Sequence, residues 1–267
     1  HRVDRRQRQM CIRDRHIPLG VRSRLRLFAA QCILKLTTCD AYASLILPRM
    51  GRLSYALQDE CFQVRMHLLH DLLLYLMRDE LPTEFHAAIF LVAFDPEDEP
   101  RVQVASYTRR LQVLPPIVRH ERLERIIVRF LHLLAHHPDL NAESPQTLCS
   151  FARYLEFYLA CVACETNIGV LARFSACVRT YIDLSPSEPS VENSRPLYAM
   201  AELAQFLIQR LADNHGWTIY PVDEEAPCPK DILRSTGTIA RSVLDGEVWE
   251  LLQQQPRRHR DKKTKVA

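Results

Sequence analysis

The sequence predicts an all-α protein built as an α-solenoid of stacked helix pairs. Amphipathic runs at Leu25–Leu36, Asp59–Leu76 and Arg101–Leu111 have centres about 37 and 39 residues apart, a period typical of helix-pair arrays. Strict alternation of apolar and polar residues is scarce, which argues against strands. The 16 prolines cluster between the periodic runs. An array of this kind is first of all a binding surface.

The first two helices follow from local breaking and capping residues. We expect the fold to start near Val21 and to enter the helix that contains Leu25–Leu36. Asp40 is then expected to cap a second helix over Tyr42–Leu57, because Asp is a favoured N-cap residue. Pro48 predicts a bend or interruption in that helix.

The third helix, Asp59–Arg78, carries the most specific pattern. Its predicted N-cap is Asp59, and its apolar face is Cys61, Val64, Leu68, Leu72 and Tyr75. Asp59 followed by Val64 and Arg65 resembles the inner-helix consensus of HEAT repeats, in which acids and arginines form a ladder between neighbouring repeats. The pattern recurs loosely at Asp95, Glu99, Arg101 and Val102, and around Arg26. Each of these residues taken singly also fits an ordinary solvated charge.

The later helices are placed by prolines and caps. Ser144 is the expected cap of a long helix that has Pro145 at its first position. Asn167 is the expected cap of the next helix, whose inward face consists of Leu171, Phe174, Val178 and Ile182. The other expected helices are Thr83–Phe94 with Phe85, Ile89 and Val92 on one face, Arg101–Leu111, His120–His136, Leu197–Leu211 and Asp245–Gln255.

Four parts of the chain are expected. Residues 1–20 form a disordered or artefactual arm, 21–216 the HEAT-like helical array, 217–255 an irregular segment with short helices, and 256–267 a disordered basic tail. The segment Arg6–Arg15 resembles translated library-adapter sequence, so it is left out of the functional reasoning. A genuine basic arm for nucleic acid is the alternative.

Charge is distributed unevenly along the chain. Residues 1–26 carry nine Arg against two Asp, and residues 256–267 carry six Lys or Arg against one Asp. Residues 27–255 therefore hold 20 basic and 29 acidic side chains, which argues against a folded body that grips nucleic acid broadly. The tail differs, since it fits nuclear import, weak DNA contact or a merely solubilising role; its residues are Arg257, Arg258, Arg260, Lys262, Lys263 and Lys265.

The cysteines favour a reducing, intracellular compartment. Nine cysteines give no even disulfide framework, and most lie within helical apolar patterns. The pair Cys161 and Cys164 has the spacing of half a zinc site, but no second pair is nearby, so packing in the core is favoured. No apolar run approaches the roughly 20 residues that a membrane span needs, so no membrane partner is expected.

Catalytic and metal sites are not predicted. His132 and His136 have the spacing of zinc-protease helices, but Leu133 occupies the place of the catalytic glutamate and Asp139 follows a helix-breaking proline. We expect His132 to pack on a helix face and His136 or His137 to close the helix end as a cation. No cofactor, metal ligand or catalytic residue is therefore assigned, and a metal- or Cys-dependent enzyme is the disfavoured alternative.

Five strings in the sequence occur in a characteristic order. They are AAQCILKL (Ala29–Leu36), LQDECFQVR (Leu57–Arg65), LPTEFHAAIFLVAFDPEDEPR (Leu81–Arg101), HLLAHHPDL (His132–Leu140) and LYAMAELAQFLI (Leu197–Ile208). In this order they resemble the C-terminal part of the array of the cohesin-associated "precocious dissociation of sisters" proteins. The similarity covers roughly residues 21–225.

The resemblance implies a non-catalytic regulator of sister-chromatid cohesion in the nucleus, associated with chromatin. Such proteins dock on the kleisin subunit of cohesin and take part in recruiting releasing and acetylating factors, much of that recruitment through an N-terminal region outside this sequence. No contact residues for those partners are carried over. A generic HEAT adaptor for nuclear transport or a phosphatase is the alternative.

Overall fold

Helices make up most of the protein, as expected for an all-α solenoid. The computed structural model describes residues 18–224 and 228–254. The α-helices are α1 (Leu19–Thr37), α2 (Asp40–Ile46), α3 (Met50–Ser54), α4 (Phe62–Met77), α5 (Asp98–Gln112), α6 (Pro116–Arg119), α7 (Ile127–Ala135), α8 (Pro145–Val162), α9 (Ile168–Cys177), α10 (Arg195–His215) and α11 (Gly246–Gln254). Shorter turns are the 3₁₀ helices Leu47–Arg49, Tyr55–Gln58 and Val178–Thr180 and the π turn His120–Glu124, and Thr83–Phe94 is a longer 3₁₀ helix.

The helices stack in two layers over the first half of the chain. In one layer α1 packs on α4, and α4 packs on α5. In the other layer the segment Tyr55–Gln58 packs on Thr83–Phe94, which in turn packs on α7. This arrangement confirms the predicted helix-pair stacking. The second half adds α10, which packs against α7, α8 and α9, while α11 packs on α8.

The segment Thr83–Phe94 lies at the centre of the core. The sequence predicts a one-sided apolar face, but every residue from Phe85 to Ala93 is buried. Elements contact it on several sides, including α4, α5, α7 and α8. The one-sided prediction is therefore wrong, because a segment surrounded in this way has no solvent-facing stripe.

Two predicted N-caps are wrong by one or two residues. Helix α4 begins at Phe62 with Cys61 in the cap position, and α2 begins at Asp40 with Cys39 in the cap position. Asp59 instead accepts the Cys61 backbone N–H at 2.8 Å and pairs with Arg26. The Ser144 cap is confirmed, since its hydroxyl accepts the Thr147 N–H at 3.3 Å and Pro145 opens the helix.

Helix boundaries differ modestly from those expected. The first helix begins at Leu19, before Val21, and the predicted Arg101–Leu111 helix extends over Asp98–Gln112. The predicted interruption at Pro48 is confirmed by the break between α2 and α3. The expected helix His120–His136 is divided, with the π turn preceding α7.

A small sheet replaces the end of one predicted helix. Strand β1 (Tyr181–Asp183) pairs antiparallel with β2 (Leu233–Ser235), with Ile182 opposite Arg234. The prediction that Ile182 continues the helical face after Phe174 is wrong. The side chain is buried as expected, but it reaches the core from a strand.

The proposed division of the chain into four parts stays a prediction. Residues 1–17 and the tail residues from 255 onward lie outside the described ranges. Across residues 18–224 and 228–254, none of the helices has the length and apolarity that crossing a bilayer requires.

Candidate peptide-binding groove

A ladder of ion pairs joins α1, α4 and α5, as the HEAT-like pattern predicts. Arg26 on α1 reaches Asp59 with Nε–Oδ2 and Nη2–Oδ1 distances of 2.5 and 2.9 Å. Arg65 on α4 reaches Asp95 with Nε–Oδ2 and Nη2–Oδ1 distances of 2.7 and 3.2 Å. Each guanidinium thus makes a two-pronged contact with the acid that precedes the next helix.

Arg65 and Arg101 also tie down the turns before their own helices. Arg65 donates from Nη1 to the carbonyl of Asp59 at 2.9 Å, six residues earlier. Arg101 donates in the same way to the carbonyl of Asp95, also six residues earlier. The repeated Asp-to-Arg spacing therefore serves two purposes, since it fixes each turn and links it to the preceding helix.

An open groove of about 500 Å³ lies over this ladder. Residues from four parts of the chain line it: the turn before α4 with the first turns of α4, the end of Thr83–Phe94 with the turn after it, the turn after α7, and the start of α8. The lining residues are Leu57, Gln58, Asp59, Arg65, Leu91, Phe94, Asp95, Pro96, His137, Asp139, Gln146, Thr147, Ser150, Phe151 and Tyr154. A mixed lining with a few oriented polar groups is typical of sites that bind ligands or peptides.

A hydrogen-bond chain fixes the polar groups of the groove. The backbone N–H of Asp139 donates to Nδ1 of His137 at 3.1 Å, so His137 carries its proton on Nε2 and donates it to Oε1 of Gln58 at 2.6 Å. The Gln58 amide then donates to the Leu91 carbonyl at 3.0 Å and to the Tyr154 hydroxyl at 2.5 Å. Because Tyr154 accepts this bond, its own O–H remains able to donate to a bound chain.

Burial keeps these groups uncharged. It lowers the pKa of His137, and it raises the pKa of the Tyr154 phenol to about 12. The expectation of a cationic imidazole at the helix end is therefore wrong for His137, because its ring is buried among Tyr55, Phe151 and Tyr154.

The carboxylate of Asp59 stays ionised. Burial acts to raise its pKa, but the hydrogen bonds from Arg26 and from the Cys61 N–H outweigh burial and lower it. The ladder is therefore charged on both sides.

An aromatic rim borders the groove. The rings of Phe94 and Tyr154 lie 4.6 Å apart between centroids, and the Arg153 guanidinium lies 4.2 Å above the Phe94 ring. Aromatic faces next to satisfied polar groups suit an extended peptide, because they bury apolar side chains while the polar groups meet its backbone.

Other residues singled out in the sequence lie away from this groove. Cys161 is buried and Cys164 is half-buried, and burial raises the pKa of Cys161 to about 11, which supports the interpretation of a packed core thiol. The six basic residues from Arg257 to Lys265 lie outside the described ranges, so their role stays a prediction.

His132 on α7 and His136, which directly follows that helix, share a partner that the sequence did not indicate. His132 is buried as expected, and both His132 and His136 contact the carboxylate of Asp183 in β1. Burial acts to raise the pKa of Asp183, but the hydrogen bonds from the two imidazoles outweigh this effect, so the pKa is lowered. The acid near in sequence, Asp139, points to solvent instead.

Comparison with known proteins decides the family. The family model of the sister chromatid cohesion protein PDS5 matches residues 5–234, which is most of the chain. The chain belongs to the PDS5 family. This match includes residues 5–20, which lie within the expected disordered or artefactual arm.

Individual PDS5 relatives agree with the family match. The chain is 26% identical to the sister chromatid cohesion protein pds5 of Schizosaccharomyces pombe over 226 residues, covering 84% of this chain and 18% of that protein. It is 24% identical to PDS5 of Saccharomyces cerevisiae over 255 residues, covering 87% of this chain and 20% of that protein. Over 138 residues it is 36% identical to PDS5 homolog A of Danio rerio, covering 47% of this chain and 10% of that protein. The chain thus spans a fifth or less of the length of these relatives.

Proposed function

We propose that this PDS5-family chain is part of a non-catalytic scaffold that regulates sister-chromatid cohesion by binding cohesin through its kleisin subunit. The observation that carries the proposal is the open groove over the Arg–Asp ladder, in a chain whose family is named for cohesion. Stacked helix pairs form an extended surface that can hold a partner segment at several points without catalysing a reaction.

The groove is proposed to hold an extended kleisin segment. The Tyr154 hydroxyl offers a hydrogen-bond donor, and the rings of Phe94 and Phe151 offer apolar surface in the same groove. Ion pairs and the His137–Gln58–Tyr154 hydrogen-bond chain already order the floor of the groove. Binding therefore costs little side-chain conformational entropy there.

Charge favours a partner segment with basic residues. Residues 27–255 hold 20 basic and 29 acidic side chains, and Asp139 at the groove edge is 85% exposed. Electrostatic steering of this kind weakens as salt rises. Affinity that does not change with ionic strength would remove the electrostatic part of the proposal.

Recruitment of releasing and acetylating factors is proposed to use parts of the full-length relatives that this chain does not cover. Chromatin association in the nucleus follows from the cohesin partner, and the basic residues Arg257 to Lys265 would add weak DNA contact or an import sequence.

Affinity capture tests the proposal. The tagged protein is recovered from cell extract and its co-purifying proteins are identified, with Ser150→Trp, which fills the groove, as the test variant. The expected result is cohesin subunits with the wild type and fewer with the variant. Recovery of nuclear-transport or phosphatase subunits instead would favour a generic adaptor.

A further inference from the structure

We propose that His132, His136 and Asp183 form a binding site for a divalent transition-metal ion, with Zn²⁺ the best fit. The site joins α7 to strand β1, and its three residues are not among those that line the groove. It would act as a structural clamp and is not part of a catalytic centre.

The geometry of the three side chains carries the proposal. One potential ligand atom from each residue lies within 4.8 Å of the others. Nε2 of His136 is 2.6 Å from Oδ2 of Asp183, and Nε2 of His132 is 3.3 Å from Oδ1 of the same carboxylate. The two imidazole centroids are 4.5 Å apart. Zn–ligand distances of about 2.0–2.2 Å would be reached by a small outward movement of these groups around a central ion.

The chemistry of the donors suits zinc. Two imidazoles and one carboxylate are ligands that Zn²⁺ accepts, and three protein ligands leave a fourth position for water. To bind, each neutral ring carries its proton on Nδ1 and presents the lone pair of Nε2 to the ion. The carboxylate binds without a change of protonation.

Surrounding groups hold the ligands in place. The Ser185 N–H donates to Oδ1 of Asp183 at 2.8 Å, and the Asp183 N–H donates to the Ser194 hydroxyl at 2.9 Å. Such supporting bonds orient the ligands of metal sites. The side chain of His132 is 8% exposed, whereas that of His136 is 36% exposed, which gives an ion access from solvent.

The expected consequence is a firmer junction between the array and the small sheet. Asp183 ends β1 and precedes the polar loop that leads to α10, so an ion at this point ties that loop to α7. An ion that binds only the folded protein raises the melting temperature as its concentration rises.

Metal titration of the purified protein tests the proposal. After dialysis against chelator and its removal, Zn²⁺ is titrated by calorimetry, and Co²⁺ is added separately to record its visible spectrum. We expect one saturable site per chain, a Co²⁺ spectrum without a thiolate charge-transfer band, and a higher melting temperature with Zn²⁺.

Matched variants locate the ion. His136→Ala, at a partly exposed position, should weaken Zn²⁺ affinity about a hundredfold. Asp183→Asn should also weaken it while its amide oxygen still accepts the Ser185 N–H. The control His67→Ala, an exposed histidine on α4, should leave affinity unchanged.

Three results would overturn the proposal: no saturable binding to the wild type, binding that His136→Ala leaves unchanged, or a thiolate band that assigns the ion to cysteine.

Discussion

Arg65 and Asp95 form a two-pronged ion pair that links α4 to the turn before α5. Their side chains are only 8% and 1% exposed, so the pair is largely removed from water. An isolated buried charge is costly, so each partner depends on the other. The pair therefore holds α4 to the turn before α5, and both residues line the groove.

Removing one partner of this pair should be strongly destabilising. Asp95→Ala leaves the Arg65 guanidinium buried without a counter-charge, and we expect a loss of about 3–5 kcal/mol in the free energy of unfolding. Urea denaturation followed by circular dichroism measures this. The control is Asp98→Ala, which removes a carboxylate that is 91% exposed and pairs with Arg101, and it should cost no more than about 1 kcal/mol. Equal losses in the two variants would contradict the account.

Stability should fall as pH drops below about 6.5, in part through His86. The ring is buried, its Nδ1–H donates to the Thr83 carbonyl at 2.8 Å, and Nε2 accepts the Tyr107 hydroxyl at 2.9 Å. Burial lowers the pKa of His86 to about 4; the neighbours Arg122 and Asp79 shift it in opposite directions and matter less.

The sign follows from proton binding. Between pH 6.5 and 4, His86 is protonated in the unfolded chain but stays neutral in the folded protein. The free energy of unfolding therefore decreases as pH falls, by up to about 3 kcal/mol. Urea unfolding from pH 7.5 to 5 should show a shallower pH dependence for His86→Gln than for the wild type. Identical slopes would mean that His86 does not contribute.

The outer face of α1 should tolerate polar substitution. Phe28 is 66% exposed, and Leu25 and Leu36 on the same helix are also exposed. Phe28→Ser should change the free energy of unfolding, measured by urea denaturation, by less than about 0.5 kcal/mol. Leu34→Ala on the buried side should cost about 2–5 kcal/mol. A large loss of stability in Phe28→Ser would show that this face is covered.

The sequence predicted the fold well where the pattern was local. The Ser144 cap with Pro145, the interruption at Pro48 and the Arg–Asp ladder all depend on neighbouring residues or on a short repeat, and the structure confirms each. The predicted start of α4 was wrong because an Asp at position 59 fits either an N-cap or an ion pair. In the structure its carboxylate pairs with Arg26 in the ladder.

The groove and the histidine cluster could not be predicted from the sequence. Gln58 and Tyr154 are 96 residues apart and meet only after the helices stack. Asp183 lies 47 residues beyond His136, in a strand that the helical periodicity concealed. Tyr154 is buried within α8, so no sequence pattern distinguishes its groove-lining hydroxyl from that of a packed aromatic residue.

Binding of purified kleisin to this chain tests the central claim most directly. Isothermal titration should be done with the wild type, with Ser150→Trp, and with Ala160→Trp as the control at another exposed position of α8 that does not line the groove. The account predicts saturable one-to-one binding that Ser150→Trp weakens at least tenfold and Ala160→Trp leaves unchanged. No binding to the wild type, or equal affinity of both tryptophan variants, would contradict it.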